Sequence, residues 1–162
     1  MQPDEALVRS WLQSAVEDAY EGERQLFQER AHERSVVFHI ARRLATRVEA
    51  WACDANSAGW SVDVEYDRWH PGDVEWLKKR LRGLDGHDES DVYPDLILHR
   101  RSGSSAEHNL LVVEVKKEGA RGREHDLEKL RGFVAHPFSY RLAAFITLSA
   151  DGGEPLWHWI AD

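Results

Sequence analysis

A single cysteine, Cys53, in a chain of 162 residues excludes an internal disulfide and a multi-cysteine zinc site, and it fits a reducing, cytoplasmic setting. The stretch Trp51-Ala52-Cys53-Asp54 offers that thiol no neighbouring base, so it is not read as a nucleophile. No apolar run approaches the ~20 residues that span a bilayer, and no basic-then-apolar leader opens the sequence, so no membrane association is expected. A glycine-rich phosphate loop and a Gly-x-Ser-x-Gly elbow are both missing. So is the His-x-Glu with Cys-x-x-Cys of a zinc deaminase. The nine histidines do not cluster at zinc spacing; His125, His136 and His158 are read as surface or packing residues. A basic excess is lacking too. The net charge is −8, whereas nucleic-acid binding ordinarily starts from a basic footprint.

What is present is an ordinary globular composition, 42% hydrophobic and 31% charged, long enough for one domain over residues 1–162 with a real core. The charge is uneven. Residues 1–35 hold eight acidic and four basic side chains, while cations gather at Lys78, Lys79, Arg80 and Arg82, at Arg100 and Arg101, and at Lys116, Lys117, Arg121 and Arg123.

Periodicity sets the expected elements. Leu7, Val8, Trp11, Leu12, Ala15, Val16 and Ala19 recur at helical spacing behind an Asp4 cap, predicting a helix to about Tyr20, which Gly22 breaks. A second helix is expected from about Glu23 to Trp51, with Val36, Val37, Ile40, Leu44 and Val48 facing inward. Residues 60–66 alternate as a half-buried strand, with Asp63 and Glu65 pointing to solvent. Residues 73–82 read as a short helix between Asp73 and Gly83. Strands are expected at 92–99 and 109–116, a helix at 123–134, and two closing strands within 139–149 and 155–161. Trp69 and Trp76 flank the basic segment, where they could stack on bases; packing in the core is the preferred assignment. The fold class is α/β, a sheet with helices packed on it.

The strands at 92–99 and 109–116 carry charges where a buried strand should have none. By alternation Val112, Glu114 and Lys116 share one face of the later strand, and Asp95 shares a face with Ile97 on the earlier one. Both faces are otherwise apolar, which marks the strand as central. If the strands are neighbours, Asp95, Glu114 and Lys116 converge at one sheet end. Two carboxylates in such a place repel and are costly to desolvate. A divalent cation removes both objections, since Mg²⁺ takes one or two carboxylates plus waters and phosphate. The plain alternative is an ion pair of Lys116 with Glu114 or with Asp95.

Pro94-Asp95, followed by Glu114-Val115-Lys116 on the next strand, resembles the PD-(D/E)XK nuclease superfamily. The expected order over residues 32–149 (helix, three strands, helix, strand) is similar to that family's restriction-endonuclease-like core, α-β-β-β-α-β with a mixed central sheet flanked by helices. Here it would be extended by an N-terminal helix, the 73–82 helix and a C-terminal strand. The resemblance implies that Asp95 and Glu114 hold Mg²⁺, with Mn²⁺ substituting, and that the Val115 carbonyl adds a ligand. It implies that Lys116 orients or activates the attacking water, or stabilises charge on the phosphate; burial and nearby cations can lower a lysine's pKa. Family members often add a glutamate from the first core helix. Glu33, in line with Val37, Ile40 and Leu44, is that candidate, with Glu29 its rival; otherwise Glu33 serves the helix N-terminus or pairs with Arg30 or Arg34. Lys129 is a candidate phosphate contact, set against an ordinary surface pair with Asp126 or Glu128. The implied function is a Mg²⁺-dependent nuclease acting on DNA rather than RNA. The negative charge suggests a homodimer or delivery by a partner protein. The alternative is a non-catalytic nucleic-acid-binding or assembly module that keeps the fold.

Overall fold

Among the described residues, nine β-strands and four helices follow one another in the computed structural model of the chain. It describes all residues except 29–31, 67, 70–76, 79, 82–89, 102, 104, 136, 150, 152 and 161–162, and only the backbone of 28, 68–69, 77–78, 80–81 and 90–91. The helices are α1 (Glu5–Gly22), α2 (Arg24–Gln28), α3 (Glu33–Asp54) and α4 (Arg123–Val134). Five strands form the main sheet: β1 (Trp60–Val64), β6 (Leu96–Arg100), β7 (Asn109–Lys117), β8 (Leu142–Leu148) and β9 (Leu156–Ile160), in that spatial order. Only β7 and β8 run parallel; the other neighbours are antiparallel, so the sheet is mixed. No helix among the described residues is long and apolar enough to cross a membrane.

Local chemistry explains the elements. The Asp4 carboxylate accepts from the Leu7 N–H at 2.7 Å and starts α1, one of the unpaired donors that every helix start presents. Val8, Leu12, Ala15, Val16 and Ala19 then face the core. Gly22 lets the Arg43 guanidinium cross the end of α1; a Cβ there would stand 2.4 Å from Arg43 Nη2. That guanidinium reaches Glu23 Oε1 at 3.1 Å. The expected second helix is two helices, α2 and α3. The break makes Glu33 the first residue of α3 rather than a mid-helix one.

The helix expected at 73–82 is not there in the part that is described. Leu77–Lys78 (β3) pairs with Arg68–Trp69 (β2), and Arg80–Leu81 (β4) pairs with Ser90–Asp91 (β5), as two short ribbons. Four cations between 78 and 82 would repel at helical spacing, and a helix of ten residues is marginal without packing. The side chains of the basic cluster, Trp69 and Trp76 lie outside the described residues.

The sheet is covered on both faces. Leu96, Leu98, Leu111, Val113, Val115, Ala144 and Ile146 pack under α1 and α3. Ile97, Val112, Ala143 and Phe145 pack under Leu127, Leu130 and Phe133 of α4. The α4 face is the one on which Glu114 and Lys116 must lie.

Candidate active site

β6 and β7 pair with Leu96 opposite Val113 and Ile97 opposite Val112, which brings Asp95 alongside Glu114. Asp95 Oδ2 accepts from the Val115 N–H at 2.8 Å. Val115 itself is buried, its side chain on the α1/α3 face, and it stands in register with Ile146 of β8. Burial pushes the Asp95 carboxyl above its ordinary range; the Val115 bond and the two lysines oppose that, and Glu33 adds to it.

Glu114 is 1% exposed. Its Oε2 is 2.8 Å from Lys129 Nζ, while Oε1 has no hydrogen-bond partner among the described residues. Burial first, and the Asp95 charge second, push its carboxyl well above the usual range against the pull of Lys129. A buried carboxylate oxygen with no donor is expensive, so something is expected to meet it.

Lys116 pairs with neither of the partners first considered. Its Nζ lies 3.4 Å from Glu33 Oε1 and 3.4 Å from Asp126 Oδ2. Burial works against its charge, but Asp126, Glu33 and Asp95 outweigh it, and its pKa is raised. The expectation of a lowered lysine pKa is therefore reversed: carboxylates surround this ammonium, not cations. In this arrangement the charged ammonium form of Lys116 is favoured.

Glu33 is brought into the group through Lys116. It does not pair with Arg34, whose Nε instead meets Glu65 at 2.6 Å; Glu29 and Arg30 lie outside the described residues. Lys129 is not in an ordinary surface pair. Its side chain is 12% exposed, and besides Glu114 it reaches Asp126 Oδ1 at 3.7 Å and donates to the Tyr93 carbonyl at 3.3 Å. Asp126 is the residue sequence reasoning undervalued. It is buried in the first turn of α4, between the two lysines. The signal was available: Asp126, Leu130 and Phe133 are spaced i, i+4, i+7 along the inward stripe.

Four carboxylates (Asp95, Glu114, Asp126, Glu33) thus face two ammonium groups (Lys116, Lys129), leaving two negative charges uncompensated when all are ionised. A cleft of about 460 Å³ opens beside Asp95, lined by Glu33, Arg34, Val37, Val64 and Glu65 among others. Among the described residues no three His, Cys, Asp or Glu side chains stand together as a metal-holding group. Asp95 and Glu114 suit a cation that needs only one or two protein carboxylates, as Mg²⁺ does. The partnerless Oε1 and the two excess charges fit such an ion.

A second charged group lies on the same face of the sheet. Asp63, expected in solvent, sits on β1 with a 14% exposed side chain; its Oδ2 is 2.8 Å from His99 Nε2 and accepts from Arg101 Nε at 2.9 Å. Although burial opposes it, these bonds hold the Asp63 carboxyl well below the usual range.

Set beside known proteins, the chain matches no family model, no curated protein and no solved structure.

Proposed function

We propose that the chain is a Mg²⁺-dependent nuclease of the PD-(D/E)XK type, hydrolysing phosphodiester bonds in DNA rather than RNA. The observation that carries this reading is Glu114: buried, beside Asp95, with one oxygen lacking a partner among the described residues. A cation that meets that oxygen would relieve the cost of burying it. The order α3, β1, β6, β7, α4, β8, with Asp95 and Glu114 at the second and third of those main-sheet strands, agrees with the α-β-β-β-α-β core that such nucleases share.

Asp95 and Glu114 are the residues to hold the ion, Asp95 kept in line by the Val115 N–H. When bound, the ion supplies Lewis-acid neutralisation of a phosphate and acidifies water. Lys116, still an ammonium, stabilises charge developing at phosphorus or orients the attacking water. Glu33 and Asp126 hold that ammonium on both sides. Cations at Lys117, Arg121 and Arg123 adjoin the group in sequence and offer phosphate contacts that the net charge of −8 does not. That balance favours a homodimer or a partner protein that brings the substrate.

One observation favours a second reading, the non-catalytic module. The Lys129–Glu114 pair and the Lys116–Asp126 contact also describe a structural network. Supercoiled, linear, branched and single-stranded DNA, and RNA, each incubated with Mn²⁺ or with EDTA, separate the two. Metal-dependent cleavage of any of them supports the nuclease, and inertness on all of them, with no rise in melting temperature on adding Mg²⁺ or Mn²⁺, supports the module.

A further inference from the structure

The ammonium closest to Glu114 is that of Lys129, not the motif lysine. Lys129 Nζ is 2.8 Å from Glu114 Oε2, whereas Lys116 stands 3.4 Å from its two carboxylates, neither of which is Glu114 or Asp95. Lys129 is also held by the Tyr93 carbonyl and approached by Asp126, so its ammonium sits inside the group. Among the described contacts it does for Glu114 what a divalent ion would do: it supplies positive charge to a carboxylate that burial and Asp95 both disfavour.

We infer that Lys129 is a built-in counter-ion of Glu114 that opposes divalent-cation binding until a phosphate draws its ammonium away. The inference rests on the reading of Asp95 and Glu114 as metal-holding residues. Two cations around one carboxylate repel at short range, and the burial of Glu114 and Lys129 weakens the screening between them. The repulsion holds whether the ion takes Oε1, with Lys129 still on Oε2, or displaces Lys129 altogether. Either way the ammonium weakens the metal when no nucleic acid is bound. A phosphate at the site offers Lys129 another anion, so metal and phosphate strengthen each other's binding, and the coupling is reciprocal. Lys129 is thus a positioning residue whose task is to keep the site weakly loaded in the absence of substrate.

The test is Mn²⁺ binding to the full chain without nucleic acid, by calorimetry, in buffers stepped from neutral to alkaline pH. Lys129→Met removes the charge and keeps most of the chain length; Lys129→Arg keeps the charge. Lys129→Met is expected to bind Mn²⁺ roughly tenfold more tightly than the parent, and Lys129→Arg to stay near the parent. If Lys129→Met does not fold, Lys129→Gln, which retains a donor toward Glu114, carries the same comparison. Equal or weaker binding by the uncharged variant, with the parent still binding Mn²⁺, overturns the inference and leaves the metal site standing. Absence of Mn²⁺ binding in parent and variant alike overturns both.

Discussion

Asp63 and Asp95 stand near the same end of one strand pairing, Asp63 on β1 opposite Ile97 and Asp95 just before β6, yet their carboxyls are driven in opposite directions. Both are partly buried. Asp63 meets an imidazole and a guanidinium at hydrogen-bond distance. Asp95 meets one backbone N–H and another carboxylate. Burial opposes ionisation at both, so the neighbours decide the outcome. The group around Asp63 is charge-complete and needs nothing more. The group around Asp95 and Glu114 has too much negative charge for its own cations. A sheet can carry both, and the incomplete one is where a ligand is to be sought.

The sharpest way to break the comparison is to neutralise each group. Asp95→Asn and Glu114→Gln are each expected to abolish metal-dependent cleavage, a loss of several orders of magnitude, while the protein stays folded without metal. Asp63→Asn is expected to do the reverse, costing roughly 1–3 kcal/mol of stability with cleavage per folded molecule retained. Cleavage assays beside urea unfolding decide it. If Asp63→Asn costs no stability, or Glu114→Gln cuts as fast as the parent, the contrast collapses.

The next effect separates adjacent lysines. Lys116 points into the group between Glu33 and Asp126, and alternation sends Lys117 to the other face. Lys116→Ala is expected to slow cleavage by orders of magnitude with Mn²⁺ binding largely kept, and Lys117→Ala to change the rate only a few-fold. Single-turnover rates with matched calorimetry test this; equal losses would make bulk charge, not a placed ammonium, the cause.

The pH dependence of stability without metal is a smaller effect with opposite signs at the two groups. Asp63 has a lowered folded pKa. Its pairing therefore stabilises the protein above the unfolded value of about 3.9 and is lost as pH falls through the lowered value. Asp95 and Glu114 have raised folded values, so their ionised forms weaken the fold at neutral pH. That weakness is relieved as pH falls from the raised values toward the unfolded ones, about 3.9 and 4.3. Stability is expected to rise on mild acidification and then to fall as Asp63 is protonated. Glu114→Gln is expected to flatten the rise and leave the fall; denaturant midpoints over a pH series measure both.

Much of this was legible in residues. Alternation along Leu110–Lys117 was enough to put Glu114 and Lys116 on one buried face, and the apolar stripe of α3 placed Glu33 near it. The partners were not legible. Which cation meets Glu114 depends on where α4 lands across β7, and that is set by the packing of Leu130 and Phe133, beyond what spacing within one element reveals. Asp63 was misjudged for a similar reason: its alternation matched a solvated position, but its register opposite β6 brought it to His99. The 73–82 segment failed because helical spacing of a few apolar residues carries little weight against crowded like charges.

The smallest expected effect concerns Glu33, which is partly exposed and is tied to the group through Lys116. Glu33→Gln is expected to raise the Mg²⁺ concentration for half-maximal cleavage a few-fold and to shift metal-free stability by no more than about 1 kcal/mol. An unchanged Mg²⁺ requirement removes Glu33 from metal binding and leaves it as a holder of Lys116.

The β7–α4–β8 crossover has a consequence for the order of assembly. Asp95, Glu114, Lys116, Asp126 and Lys129 all lie between β6 and the end of α4, so short loops close to bring them together. Glu33 reaches Lys116 across 83 residues of chain, a contact whose closure entropy is larger. Local contacts form early and distant ones late. The carboxylates of this group are therefore expected to gather first, as α4 docks on the sheet, with the Glu33–Lys116 contact from α3 added afterwards. In metal-free protein the amides of α4, which packs over these charges, are expected to exchange with solvent more readily than those of α1, whose buried face is wholly apolar.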